Sequence, residues 1–122
     1  MPTWLWVFLA GGTGAVARYL LSSFIDGVVA SRFPHAGVLL VNLLGCLLIG
    51  VFSAWLTDTT TRAAVLTGLL GGFTTYSAFA LLTLELLRDG RWGAFAVQVL
   101  VHVLGGLLCA AFGLWLGRAI AS

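Results

Sequence analysis

Four long apolar runs, about Trp4–Ile25, Ala36–Leu56, Ala63–Leu87 and Trp92–Leu116, take up nearly the whole chain. Only short polar stretches separate them, around Asp26–His35, Thr57–Arg62 and Arg88–Arg91. A hydrocarbon core about 30 Å thick needs roughly 20 apolar residues per helical crossing, so each run is long enough for one. Inside lipid a spanning segment must satisfy its own backbone, and runs of this length do so as helices. The expected fold is an all-α membrane protein, one domain over residues 1–122 with four transmembrane helices. Composition closes the soluble alternative: 61% of the residues are hydrophobic and 8% charged, too few polar groups to cover a water-facing surface. The first run lacks a basic leader and outruns a signal peptide's apolar stretch, so it is read as helix one rather than a cleaved segment.

Charge placement says how such a chain sits in the bilayer. All six basic residues are arginines. With four crossings, Arg62 and Arg118 fall on one side and Arg32, Arg88 and Arg91 on the other. Two against three is almost no bias under the positive-inside rule. Either the extra arginine fixes one topology or the chain inserts both ways round, and the near balance favours the second. An antiparallel homodimer with its two-fold axis in the membrane plane then follows naturally. Four helices seldom enclose a pathway alone, which also points to self-association. The glycines Gly11, Gly12, Gly14, Gly45, Gly50, Gly105, Gly106 and Gly113 permit close helix approach and read mostly as packing positions.

The third run carries Gly71-Gly72-Phe73-Thr74-Thr75-Tyr76-Ser77-Ala78-Phe79 in its middle. Adjacent glycines remove the steric bar to unwinding, and threonine hydroxyls can replace lost backbone partners. A break at mid-membrane is expected here, and discontinuous helices are where ions and small solutes bind. Two chemistries stay open. Unwound carbonyls around Gly71 and Thr74 carry partial negative charge and suit a small cation such as Na+. Tyr76 and Phe79, three apart, share a helical face. They are either plain packing or a pair whose electropositive ring edges meet an anion.

Few polar residues fall inside the runs, and such groups tend to face a bundle interior. Asn42 reads either as an interhelical hydrogen bond or as two amide donors for an anion. Gln98, His102 and Gly106 recur every fourth residue on one face. That stripe staples two helices or lines a polar pathway, the pathway being preferred. Arg18, eight residues from Asp26, the nearest acid in sequence, either snorkels to the interface or supplies positive potential at a pore mouth. Glu85, the one carboxylate inside a run, reads as interfacial. Cys46 and Cys109 lack metal-ligand spacing and read as small packing residues. No nucleophile–base arrangement, paired carboxylates, phosphate-binding loop or nucleic-acid module occurs, so neither catalysis nor nucleic-acid binding is expected.

Three blocks together resemble a known family. Gly11-Gly12-x-Gly14-Ala15-x-x-Arg18-Tyr19, Val41-Asn42-x-x-Gly45 and Gly71 to Phe79 look like the signature blocks of the small bacterial fluoride channels, the dual-topology fluoride exporters. They occur in order on helices one, two and three, and the third block is the specific one. The resemblance implies a fluoride-selective channel of the bacterial inner membrane, built as an antiparallel homodimer in the lipid bilayer and exporting fluoride passively. It implies a structural Na+ at the dimer interface, held by the backbone carbonyls of Gly71 and Thr74. The pore aromatics fall on Tyr76 and Phe79, the pore asparagine on Asn42 and the helix-one arginine on Arg18. Thr75, Ser77, Gln98 and His102 are further pathway candidates.

The chain departs from that pattern in places. Tyr76 stands for a commoner Phe, Ala78 for a frequent Thr and Leu82 for a frequent Glu. On helix four, Gln98, His102 and Gly106 stand where a Tyr and then Ser residues are typical. An imidazole titrates near neutral pH, so conduction is expected to change between about pH 5.5 and about pH 7.5 if His102 lines the pathway. Three other readings remain: a small multidrug-type proton-coupled transporter, a subunit active only with a diverged partner, and a non-transporting assembly subunit. The transporter needs a carboxylate in helix one, and the run from Trp4 to Ile25 has none.

Overall fold

The computed structural model describes residues 1–29 and 35–122. Helix α1 is Thr3–Val29 and α2 is Ala36–Trp55. The next span is composite: α3 (Thr59–Arg62), a π-helical segment (Ala63–Leu70), α4 (Gly71–Phe73) and α5 (Tyr76–Arg88). Helix α6, Trp92–Ala121, closes the chain. Four helical stretches, Thr3–Val29, Ala36–Trp55, Thr59–Arg88 and Trp92–Ala121, are long and apolar enough to cross a membrane, and no strand occurs among the described residues. Arg32, which enters the charge count above, lies outside the described residues.

Side chains are arranged for an apolar solvent. The buried apolar side chains are few, Val41, Val51, Leu70 and Phe73, while Trp4, Phe8, Phe24, Leu108 and Trp115 project outward. Water would penalise that surface, whereas lipid or a partner helix does not.

The core is instead built from backbone-to-backbone contacts at glycine. Gly68 meets Val7 and Ala10, Gly72 meets Gly11, and Gly14 meets Leu69 and Phe73, so α1 and the third span run parallel. Leu43 meets Gly105, Leu47 meets Gly113 and Val51 meets Gly117, so α2 and α6 also run parallel. A Cβ on Gly14 would overlap the Leu69 carbonyl, and one on Gly113 the Leu47 carbonyl. Small residues that let helices touch in this way are the usual packing device in lipid. Gly12 differs, with nothing within 4 Å of the place its Cβ would take.

Polar groups are used at the helix ends. Asp26, inside α1, accepts from the Gly37 amide at 2.8 Å and satisfies an orphan donor at the start of α2. Arg62 donates through Nη1 to the carbonyls of Ser53 (3.0 Å) and Leu56 (2.6 Å) at the end of α2. The Trp55 indole donates to the Gly117 carbonyl at 2.9 Å, locking α2 to α6.

Candidate functional site

Helix α4 stops at Phe73. Thr74 (φ −87°, ψ 161°) and Thr75 (φ −148°, ψ 109°) are extended, and helix resumes at Tyr76. In an uninterrupted helix the Thr75 amide would donate to the Gly71 carbonyl and the Ala78 amide to the Thr74 carbonyl. Both amides go elsewhere. Thr75 N–H donates to Asn42 Oδ1 at 2.8 Å, and Ala78 N–H donates to Thr75 Oγ1 at 3.2 Å, an N-cap for α5. Asn42 Nδ2 returns a hydrogen bond to the Thr75 carbonyl at 3.0 Å. Its side-chain amide thus pairs with the extended chain as another peptide unit would. The Gly72 carbonyl accepts from Arg18 Nε at 3.2 Å. Leu70, at the end of the π-helical segment, accepts from both the amide (3.0 Å) and the hydroxyl (3.1 Å) of Thr74.

Three acceptors are left over. No donor among the described residues reaches the carbonyls of Gly71, Phe73 or Thr74. Backbone carbonyls are hard oxygen ligands of the kind an alkali cation takes, and no group of three or more His, Cys, Asp or Glu that could hold a metal occurs among the described residues. A cation bound here would rest on backbone oxygen.

Beside the interruption lies a cavity of about 310 Å³, lined among others by Asn42, Cys46, Gly71, Thr74, Thr75, Tyr76, Phe79 and His102. Its aromatic residues form a series. The rings of Tyr76 and Phe79 lie 5.7 Å apart at 58°, and those of Phe79 and His102 4.2 Å apart at 35°. Tyr76 is 80% exposed, so its ring is open to whatever packs on this face. Among the described residues no Asp, Glu, Lys or Arg lines the cavity. His102 Nδ1 lies 3.2 Å from its own helix's Gln98 carbonyl, and Nε2 is buried without a partner among the described residues.

The structure sorts the residues that the sequence singles out. Asn42, Thr75, Tyr76, Phe79 and His102 share one cavity with Gly71 and Thr74. Gln98 lines a different cavity of about 470 Å³, with Arg91, His35 and Leu86. Gly106 is buried against α2, where an added Cβ would sit 3.4 Å from Cys46 Sγ, so in this chain the helix-four stripe is divided. Ser77 is exposed and lies 3.3 Å from the Thr75 hydroxyl. Arg18 reaches the interruption itself. Two features escaped the sequence reading. Cys46 lines the cavity, one turn beyond Asn42 on the same face of α2, a spacing the sequence does contain. The π-helical segment has no such signal, because its apolar residues fit an α-helix equally well.

Residues 5–114 match the family described as "CrcB-like protein, Camphor Resistance (CrcB)". A protein named fluoride-specific ion channel FluC from Dichelobacter nodosus is 45% identical over 118 residues, covering 93% of this chain and 95% of that protein. One of the same name from Opitutus terrae is 39% identical, covering 99% of this chain and 93% of its own. Another from Phocaeicola vulgatus is 39% identical, covering 97% of this chain and 100% of its own.

Proposed function

The chain belongs to the CrcB-like family, and from that membership we propose that it is a fluoride-selective channel through which fluoride leaves a bacterial cell passively. Its setting is the inner membrane, which it crosses several times. It is not an enzyme: its task is to replace the water around a small anion, not to break a bond.

One observation carries the reading at the level of residues. Among the described residues, the cavity beside the interruption offers hydroxyls, one amide and aromatic edges, and no fixed negative charge. A dehydrated anion needs such a lining. Asn42 uses one amide hydrogen on Thr75, and the second is available to fluoride. The hydroxyls of Thr75, Ser77 and Tyr76 and the ring edges of Tyr76 and Phe79 extend the path. Arg18 occupies the Gly72 carbonyl, keeping positive charge beside the path and the backbone open.

The working unit is an antiparallel homodimer whose helix breaks lie at mid-membrane. Nearly balanced arginines and the exposed Tyr76 support this reading. The carbonyls of Gly71 and Thr74 would hold a Na+ where the two breaks meet, and its contribution is cohesion between the broken helices. The proton-coupled transporter is disfavoured because no carboxylate among the described residues lines the cavity to carry the coupling proton.

Liposomes loaded with fluoride and containing only this chain test the proposal. With a potassium ionophore added, fast fluoride efflux without chloride efflux is expected. Loss of both ions, or flux that needs a proton gradient, would refute it. Silence from folded protein that is cured by a second, diverged subunit would move the function to a heterodimer.

A further inference from the structure

The two cavities lie in line along the same three helices. Leu39 sits one turn before Asn42 on α2, Gln98 one turn before His102 on α6, and Leu86 two turns after Phe79 on α5. Phe79 meets His102 in the inner cavity and Leu86 shares the outer one with Ala94, so α5 runs back along α6. All three steps therefore lead the same way, toward the starts of α2 and α6. Arg91, at the far end of the outer cavity, lies about 16 Å from His102 along α6 at about 1.5 Å per residue.

The outer cavity, of about 470 Å³, has walls of Val29, Leu39, Leu40, Leu86 and Val97. Apolar walls offer nothing that attracts a hydrated anion. Among the described residues Arg91 is the one Asp, Glu, Lys or Arg that lines either cavity. Arg18 and Arg62 spend guanidinium hydrogens on backbone carbonyls, whereas Arg91 is exposed just ahead of α6. Nearby acids do not enter the lining. Glu85 and Asp89 are exposed and line neither cavity, and Asp26 accepts from the Gly37 amide. A cleft with one sign of charge and low-dielectric walls focuses field lines and raises the local concentration of the opposite ion.

We propose that the outer cavity is a mouth of the fluoride path and that Arg91 gathers fluoride into it. The inference rests on the channel reading above. Arg91 acts from the rim as a charge, on fluoride that still carries its water; dehydration belongs to the inner cavity. Its effect is therefore on entry, and it shows in flux below saturation. Salt screens it. The Debye length is about 30 Å at about 0.01 M ionic strength and about 3 Å at about 1 M. The first exceeds the distance from Arg91 to the inner cavity and the second falls far short of it.

The experiment uses the full chain in uncharged-lipid vesicles, with fluoride below saturation and ionic strength set by an impermeant organic salt. Wild type is compared with Arg91→Lys, Arg91→Gln and Arg91→Glu, each checked for folding by gel filtration. At about 0.01 M ionic strength, Arg91→Gln is expected to lose at least about threefold in fluoride flux and Arg91→Glu more. Arg91→Lys, which keeps the charge, should retain most of the wild-type flux. At about 1 M the four should converge. Arg88→Gln, which removes an exposed charge outside both linings, should lose less than Arg91→Gln. Equal flux from the Lys, Gln and Glu variants at low salt overturns the inference, as does a loss that persists at high salt or an equal loss in Arg88→Gln. Each of these leaves the channel standing. If the Glu variant fails to fold, the Lys and Gln variants still decide. Absence of fluoride flux from all folded proteins at every ionic strength strikes the channel reading instead.

Discussion

Two parallel helix pairs, α1 with the third span and α2 with α6, are packed by the same device and put to different uses. In both, glycines let backbone touch backbone, with Gly72 against Gly11 in one pair and Gly113 against Leu47 in the other. Helix α6 nevertheless runs unbroken from Trp92 to Ala121, while the third span leaves helical geometry at Thr74 and Thr75. Glycine therefore explains closeness and not the interruption. What separates the pairs is the supply of substitute partners. The third span has Asn42 and Arg18 reaching in from other helices and Thr75 from within. Among the described residues, helix α6 receives only the Trp55 indole at Gly117, near its end. Unsatisfied backbone is costly in lipid, so a break persists only where such partners converge.

The widest effect is expected where the pairs are alike. Gly14→Leu and Gly113→Leu each drive a side chain into backbone of the neighbouring helix, and a carbonyl cannot swing aside as a flexible side chain can. Overpacking costs typically 1–3 kcal/mol and occasionally more, and here about 3 kcal/mol or more is expected, enough to abolish monodisperse protein in detergent. Gly12→Leu, with open space at its Cβ, should elute as wild type does. If Gly14→Leu stays folded, the contact between α1 and the third span is not the rigid seam argued here.

The next test goes to the difference. Asn42→Ala removes both hydrogen bonds to Thr75 and leaves an amide and a carbonyl without partners. A loss of about 1–3 kcal/mol is expected, with fluoride flux reduced at least about tenfold because the path loses its donor and its shape together. Asn42→Asp keeps the acceptor for the Thr75 amide and should fall between the two. Gln98→Ala, on the continuous helix, should change stability by less than about 0.5 kcal/mol. Equal effects at the two positions would mean that the interruption does not depend on Asn42.

Much of this contrast is legible in the chain, and what is not has a physical reason. The four spans follow from hydropathy and the 30 Å scale of the bilayer. The unwinding at Thr74 and Thr75 is signalled by adjacent hydroxyls, and both of them bond to nearby backbone at the break. Which distant groups complete it does not follow, because Asn42 and Arg18 lie 33 and 54 residues from their partners. Their side chains admit several uses, and only packing chooses among them. For Arg18 the sequence leaves snorkelling and anion attraction open, and the structure adds a third use, a hydrogen bond to the Gly72 carbonyl. The helix-four stripe shows the opposite limit. Regular spacing puts Gln98 and His102 on one face, yet the cavities beside them are formed by other helices and separate the two residues.

The composite third span also starts twice, and the two starts solve one problem under different solvation. Asp58 accepts from the Thr61 amide at 2.8 Å at the outer start, and Thr75 accepts from the Ala78 amide at 3.2 Å at the inner one. Both are N-caps three residues ahead of the donor. The outer cap is charged, and the bonds from the Thr61 amide first and the Thr61 hydroxyl second hold the Asp58 carboxyl below the usual carboxylate range. A depressed folded-state value stabilises the helix start above the unfolded value, and this is lost as pH falls through the folded one. Protection of the Thr61 amide from hydrogen exchange should therefore decline in wild type between about pH 5 and about pH 3. Asp58→Asn, which caps without titrating, should hold its protection flat, and fluoride flux should follow wild type in both, since the carboxylate lies outside the cavity lining. The effect is small and local because Asp58 is fully exposed. Protection that does not change with pH in wild type would mean that charge adds nothing to the cap. The outer start would then work as the inner one does, where a hydroxyl holds the amide without a charge that lipid would have to exclude.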